Sequence, residues 1–133
     1  MRNISFSMTT DQILNQFKTV TRRLGWKFLK VGDVLQPIEK GQGLKKGEKV
    51  KRIGPPIRVV DVRREALMLL NYDHNYGPSE MRKEGFPNMM PEEFVDMFCD
   101  ANLFEAVTRR GEWNEITRIE FEYLNDAAMR SKP

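Results

Sequence analysis

Lys18-Thr19-Val20-Thr21-Arg22-Arg23, followed a short loop later by Gly32-Asp33-Val34, is the stretch with the densest chemistry in the chain. It places a lysine, two hydroxyls and two guanidinium groups in one turn and one strand, a set suited to binding anions and moving protons. A threonine hydroxyl is a poor nucleophile until a base removes its proton, and a lysine can be that base only when its pKa is depressed. Arg22 and Arg23 push in this direction, because like charges disfavour the ammonium form. Residues three apart on a regular strand face opposite sides. Lys18 and Thr21 can therefore act together only if Lys18 lies in the turn before the strand, or if a bulge intervenes. A simpler use of the same residues is also open: Lys18 and the arginines grip phosphates while Thr19 and Thr21 fill a strand.

The rest of the chain limits the choices. Its 133 residues fit one domain, and a chain of this size buries roughly 65–70% of its unfolded surface, enough for one core. A hydrophobic share of 40% beside 31% charged residues is ordinary for a globular protein. No apolar run approaches the roughly 20 residues of a membrane span. The opening Met1-Arg2-Asn3-Ile4-Ser5-Phe6 lacks a signal-peptide pattern. The single Cys99 excludes an internal disulfide framework and suits a reducing compartment. Together these features predict a cytoplasmic, monomeric, single-domain protein occupying residues 1–125, with a short tail at 126–133.

Charge is unevenly distributed. Residues 1–64 carry 15 Lys/Arg against 5 Asp/Glu, a net of +10, whereas residues 65–133 carry 7 against 14, a net of −7. The excess lies in two clusters: Lys18 to Lys30, and Lys40 to Arg52, which includes Lys45, Lys46 and Lys49. Clustered cations favour a polyanionic partner, because they release counterions condensed on phosphates. Solvated basic loops balanced by acidic helices would give the same totals.

Hydrophobic patterning predicts a strand-rich α+β chain. Strands are expected at Ile4–Met8, Thr19–Arg23, Val34–Ile38 (with Pro37 marking an edge or irregular end), Val50–Ile53 and Ile57–Arg63. The last, Thr117–Leu124, alternates Thr117, Ile119, Phe121 and Tyr123 against Arg118, Glu120 and Glu122. Thr9 or Thr10 can cap a short helix to about Gln16, with Ile13 and Leu14 inward. Residues 39–49 form a glycine- and lysine-rich loop. Glu65–Asn71 is ambiguous between helix and strand, and Tyr72–Pro78 is turn-rich. Ser79 is expected to cap a helix near Glu80–Glu84. Pro91-Glu92-Glu93 opens another, with Phe94, Met97 and Phe98 on one face. Many short strands with two or three helices suggest a small β-barrel.

Familiar catalytic devices are missing from the sequence. The lone His74 would have to serve any Ser-His-Asp triad, and no Gly-x-Ser-x-Gly elbow is present; His74 is expected to order its turn. The ligands for a zinc site are lacking. Neither a phosphate-binding P-loop nor a Gly-x-Gly-x-x-Gly fingerprint occurs, so no cofactor or metal is expected.

Ile13-Leu14-x-x-x-Lys18-Thr19-x-Thr21-x-Arg23, with Gly32-Asp33-Val34-Leu35 and the ending Thr117-Arg118-Ile119-Glu120-Phe121, resembles the signature of the ASCH domain family. Glu84-Gly85-Phe86-Pro87 through Pro91-Glu92-Glu93-Phe94-Val95 resembles small ASCH proteins of phage and prophage genomes, which would place the protein in the cytoplasm of a bacterial host. The resemblance implies a PUA-like β-barrel with flanking helices and an RNA- or nucleobase-binding cleft. A bacterial branch of the family hydrolyses 4-acetylcytidine with a lysine, a threonine and a glutamate, which fall on Lys18, Thr21 and Glu84. Arg23 matches the motif's arginine and would suit an oxyanion or phosphate. Gln16 stands where the motif usually has a glycine.

Two functions from different classes follow. An RNA-binding module would use Lys18, Arg22, Arg23, Lys45, Lys46 and Lys49 on phosphates, with Trp26 either stacked on a base or part of the core. A nucleoside amidohydrolase would use Lys18 as base, Thr21 as nucleophile, Glu84 as proton carrier and Arg23 as oxyanion stabiliser. Cleavage of RNA in the same cleft, associated with other family members, has no separate sequence feature in its support. The partner expected in either case is RNA or a modified nucleoside.

Overall fold

The computed structural model describes residues 1–125, so the expected tail lies outside the described residues. The elements in chain order are β1 (Arg2–Ser5), α1 (Thr10–Leu14), β2 (Val20–Arg23), β3 (Val34–Ile38), β4 (Ile57–Ala66), α2 (Leu69–Tyr72), α3 (Tyr76–Glu84), α4 (Pro91–Asn102) and β5 (Glu115–Tyr123). The strands form one mixed sheet in the order β1-β3-β4-β5-β2, with β1 parallel to β3 and the remaining pairs antiparallel. β1 and β2 are its two edges. The sheet is open, where a barrel was expected. In place of a closing ladder, Arg23 at the end of β2 reaches across to the end of β1. Its guanidinium donates to the Ser5 carbonyl and lies 4.9 Å from the centre of the Phe6 ring.

The alternation of β5 explains the two cores. Ile119, Phe121 and Tyr123 join Ile4, Phe6, Ile13, Leu35 and Ile57 on one side of the sheet. Ile116, from the opposite phase, joins Leu67, Leu70, Met81, Phe94 and Phe98 under the helices. Arg118 shares that phase and is buried, although its charge alone would place it in water. A register shift between Val59 and Asp61 bends β4, as an extra residue in one strand of a pair does.

Several local expectations need correction. Leu14 is exposed, because α1 runs only to that residue and presents only Ile13 inward. The strand at Val50–Ile53 reduces to a single bridge from Arg52 to Ile38, since Ile53 alone of that segment has a buried apolar side chain. Helix α3 begins at Tyr76, before Ser79. Its first turn is held by Asp73, whose Oδ1 accepts from the Asn75 and Tyr76 amides at 3.0 and 2.9 Å. Asp73 thus orders the turn assigned to the exposed His74. Pro78 is tolerated because a helix's first amides have no partner within the helix. Helix α4 does open at Pro91, and Glu93 Oε1 accepts from the Met90 amide at 3.2 Å.

Candidate functional site

The turn from α1 into β2 places Lys18. The Phe17 and Lys18 amides both donate to the Gln12 carbonyl, at 2.9 and 3.3 Å, which folds the chain back on the helix. Gln16 makes this possible with φ +59, in the left-handed region that a glycine enters without cost. Its side-chain amide is paired with that of Asn125. The Tyr123 hydroxyl donates to the Lys18 carbonyl, and the Thr19 amide to the Lys83 carbonyl at 2.8 Å. Lys18 therefore precedes the strand, where alternation does not yet bind it, and it faces the same cavity as Thr21.

Glu84 arrives from the other side, at the last position of α3. Gly85 ends the helix with φ +92, its amide donating to the Arg82 carbonyl and the Phe86 amide to the Met81 carbonyl, a Schellman arrangement. Lys18 Nζ then lies 2.6 Å from Glu84 Oε1 and 2.8 Å from the Glu84 carbonyl oxygen. Arg22 Nη1 donates to Glu84 Oε2 at 2.9 Å, while its Nη2 reaches Glu80 at 2.6 Å and Glu65 at 2.9 Å. Arg118 completes the set, donating to both oxygens of Glu80 at 2.6 and 3.1 Å. Buried charges are tolerated only when paired in this way.

The electrostatics follow from the burial. Loss of water pushes the Lys18 ammonium below the ordinary lysine value; Glu84 opposes this, and Arg23 and Arg22 reinforce it. Burial pulls Arg23 down to about 10 against Glu84, which still leaves it a cation at neutral pH. Burial also acts on Arg22, but the Glu84 and Glu80 carboxylates outweigh it and hold that guanidinium above its usual value. Glu80 is desolvated, yet Arg118 and Arg22 bring its carboxyl down to about 2.

A cavity of about 260 Å³ opens beside the β2 edge. Lys18, Thr21, Arg23 and Glu84 form its polar wall, Phe86, Phe94, Met97 and Phe98 its apolar wall, and residues 5–9 its rim. Arg23 Nε donates to Thr21 Oγ1 at 3.0 Å. One wall can therefore hold a flat apolar ligand while the other presents a hydroxyl, a shielded amine and a guanidinium.

No family model matches the sequence, and no curated protein matches it. Among solved structures the chain is similar to the crystal structure of a protein from Enterococcus faecalis V583 with the family model DUF984. The TM-score is 0.55 at 13% identity, covering 92% of this chain and 79% of that one. The likeness is one of fold. Among the described residues, no helix is long and apolar enough to cross a membrane, and no group of three or more His, Cys, Asp or Glu side chains could hold a metal ion.

Of the residues singled out in the sequence, Lys18, Thr21, Arg23 and Glu84 share one cavity. Arg22 also borders it, but its guanidinium points into the carboxylate network and offers no hand to a phosphate. Trp26 is half-buried against the first core, its ring 5.4 Å from that of Phe28, and does not line the cavity. Lys45, Lys46 and Lys49 are exposed on the loop that leaves β3, and they too stand apart from the cavity. Nothing local marks Glu80, Glu65 and Arg118 as interior groups, although all three are buried. The apolar stripe of α4 was visible, but its place over the cavity is set by the chain's path.

Proposed function

We propose that the protein is an ASCH-type, PUA-like hydrolase that cleaves the amide of an acylated nucleobase such as 4-acetylcytidine. One observation carries this reading: Lys18, Thr21 and Arg23 from one segment and Glu84 from another, some sixty residues on, line one small cavity in which the lysine is shielded from water. Its volume, about 260 Å³, is just below the range usual for pockets that take drug-sized ligands and limits the occupant to something no larger than a nucleoside. Lys18, once it has lost its own proton, takes the Thr21 hydroxyl proton, and Thr21 Oγ1 attacks the acyl carbon. Arg23, already beside that oxygen, stabilises the developing oxyanion. The C–N bond breaks as the proton passes from Lys18 to the leaving nitrogen. Water then hydrolyses the acyl–threonine ester, releasing the acid and restoring the hydroxyl. Glu84 holds the lysine in place.

Incubation of the purified protein with 4-acetylcytidine tests the proposal. Wild type should release cytidine, Thr21→Ala should not, and Lys18→Gln should be slower by at least about 100-fold. A folded wild type without turnover overturns it.

A second reading, RNA binding without chemistry, is favoured by the basic loop 39–52. It departs next to the cavity's rim: the Phe6 amide donates to the Ile38 carbonyl and Ser5 Oγ to the Glu39 carbonyl. RNA affinity should then fall steeply with salt, and Lys45→Gln, Lys46→Gln and Lys49→Gln together should flatten the slope.

A further inference from the structure

A second cavity, about 310 Å³, lies at the other end of the same face and is lined by Lys27, Leu29, Val62, Arg63, Arg64 and Thr117. Three of these six side chains are cations and none is an acid. Arg63 shares its charge with Asp61 at 3.0 Å and Glu65 at 3.3 Å. Arg64 gives one N–H from each terminal nitrogen to a neutral oxygen, Thr117 Oγ1 at 2.8 Å and the Glu115 carbonyl at 3.0 Å, which leaves three of its five donors and its whole charge unmatched by any acid among the described residues. Lys27 is exposed and forms no ion pair among the described residues. The cavity thus holds two uncompensated positive charges over an apolar floor of Leu29 and Val62.

Its position is equally informative. Thr117 faces Arg23 across the β2–β5 pair and Arg64 across the β4–β5 pair. Arg23, Thr117 and Arg64 form one row across three strands, which at the usual strand spacing spans about 10 Å. The row begins at the first cavity and ends at the second.

We infer that Lys27 and Arg64, in the second cavity, form a binding site for a phosphate group, with the Thr117 hydroxyl, which donates to the Gly25 carbonyl, fixing Arg64 in place. A fork of guanidinium donors beside a mobile ammonium is the arrangement that recognises such an anion. Inorganic phosphate and the phosphodiester of a nucleic acid strand share this chemistry. That the strand's base would occupy the first cavity rests on the hydrolase reading; the phosphate site itself does not.

Inorganic phosphate titrated into the 15N-labelled protein should shift the amides of residues 25–30 and 62–64 saturably. A short single-stranded RNA, followed by the same amides, separates the two sources: response to RNA alone assigns the site to the diester, and response to phosphate alone to the free anion. Lys27→Gln with Arg64→Gln should weaken the binding by about tenfold or more, as the loss of charge-assisted bonds does. Lys27→Gln alone removes an exposed side chain without risk to the fold and should weaken it by a smaller factor. Arg109→Gln, which makes the same change in net charge elsewhere on the surface, should not. No saturable shift with either probe, or equal affinity in Lys27→Gln and wild type, overturns the site. Phosphate binding without hydrolysis of 4-acetylcytidine would leave this site standing and remove the hydrolase reading, and the converse result would do the opposite.

Discussion

Lys18 Nζ donates to both the carboxylate and the backbone carbonyl of Glu84, at 2.6 and 2.8 Å, so one residue at the end of α3 fixes the amine from two directions. The pair joins the turn before β2 to a helix 66 residues further along the chain. Because burial dominates, the amine sits below the ordinary lysine pKa despite its anionic partner.

That depression sets a pH dependence for the proposed reaction. The neutral amine accumulates as pH rises through a value below 10.5. A kcat/KM profile for 4-acetylcytidine should therefore climb with pH and level off before that value is reached. A rate that falls as pH rises toward 10.5 would remove Lys18 from the role of base.

Arg22 should matter far more to stability than to ligand contact. Its guanidinium compensates Glu84, Glu80 and Glu65 in the interior. Arg22→Met should cost about 3–5 kcal/mol by urea unfolding, the range for breaking one side of a buried pair. A cost below about 1 kcal/mol would mean that the carboxylates simply take up protons. Lysine is not an adequate replacement, since it cannot bridge three acids with a planar fork.

The charged network was hardly legible in the sequence, and the reason is physical. Arg118 and Glu80 have a strand's and a helix's worth of ordinary surface character around them, and only the docking of α3 on β5, 38 residues apart, makes them partners. A buried charge cannot be read from its neighbours in the chain, because what permits it is distant. The strands at Val34–Ile38 and along β5 were legible, because apolar alternation is a local property. Lys18, Thr21 and Glu84 could be singled out only as residue types matching a motif. Their meeting depends on the turn at Gln16. Strand count suggests a barrel but does not specify whether the two edges pair, and here a side chain spans them instead.

Acid should dismantle the same network. Glu80 has a pKa of about 2 in the folded protein against an ordinary 4.5. The unfolded chain therefore binds the proton more readily, and the stabilisation present above about pH 4.5 is lost as pH falls toward 2. Unfolding free energies measured between pH 6 and 2.5 should decline across that window. In Glu80→Gln the decline should be smaller, from a lower starting stability; an unchanged slope would place the acid sensitivity elsewhere.

Gln16→Gly tests the turn that delivers Lys18. Glycine removes the left-handed strain at φ +59, and the pairing with Asn125 that it sacrifices is exposed. The balance should raise stability by up to about 1 kcal/mol. A loss of similar size would show that the amide pair, rather than backbone freedom, holds the turn.

The strand order has a consequence for how the chain is made. β5, which lies between β4 and β2 and supplies Arg118, follows every other described element in sequence. Until it leaves the ribosome, β2 has no neighbour in the sheet and Glu80 lacks one of its two guanidinium partners. The β1-β3-β4 half of the sheet can pair before β5 emerges, but β2, with Lys18 and Thr21, can join it only afterwards, so the cavity is the last part of the fold to be completed.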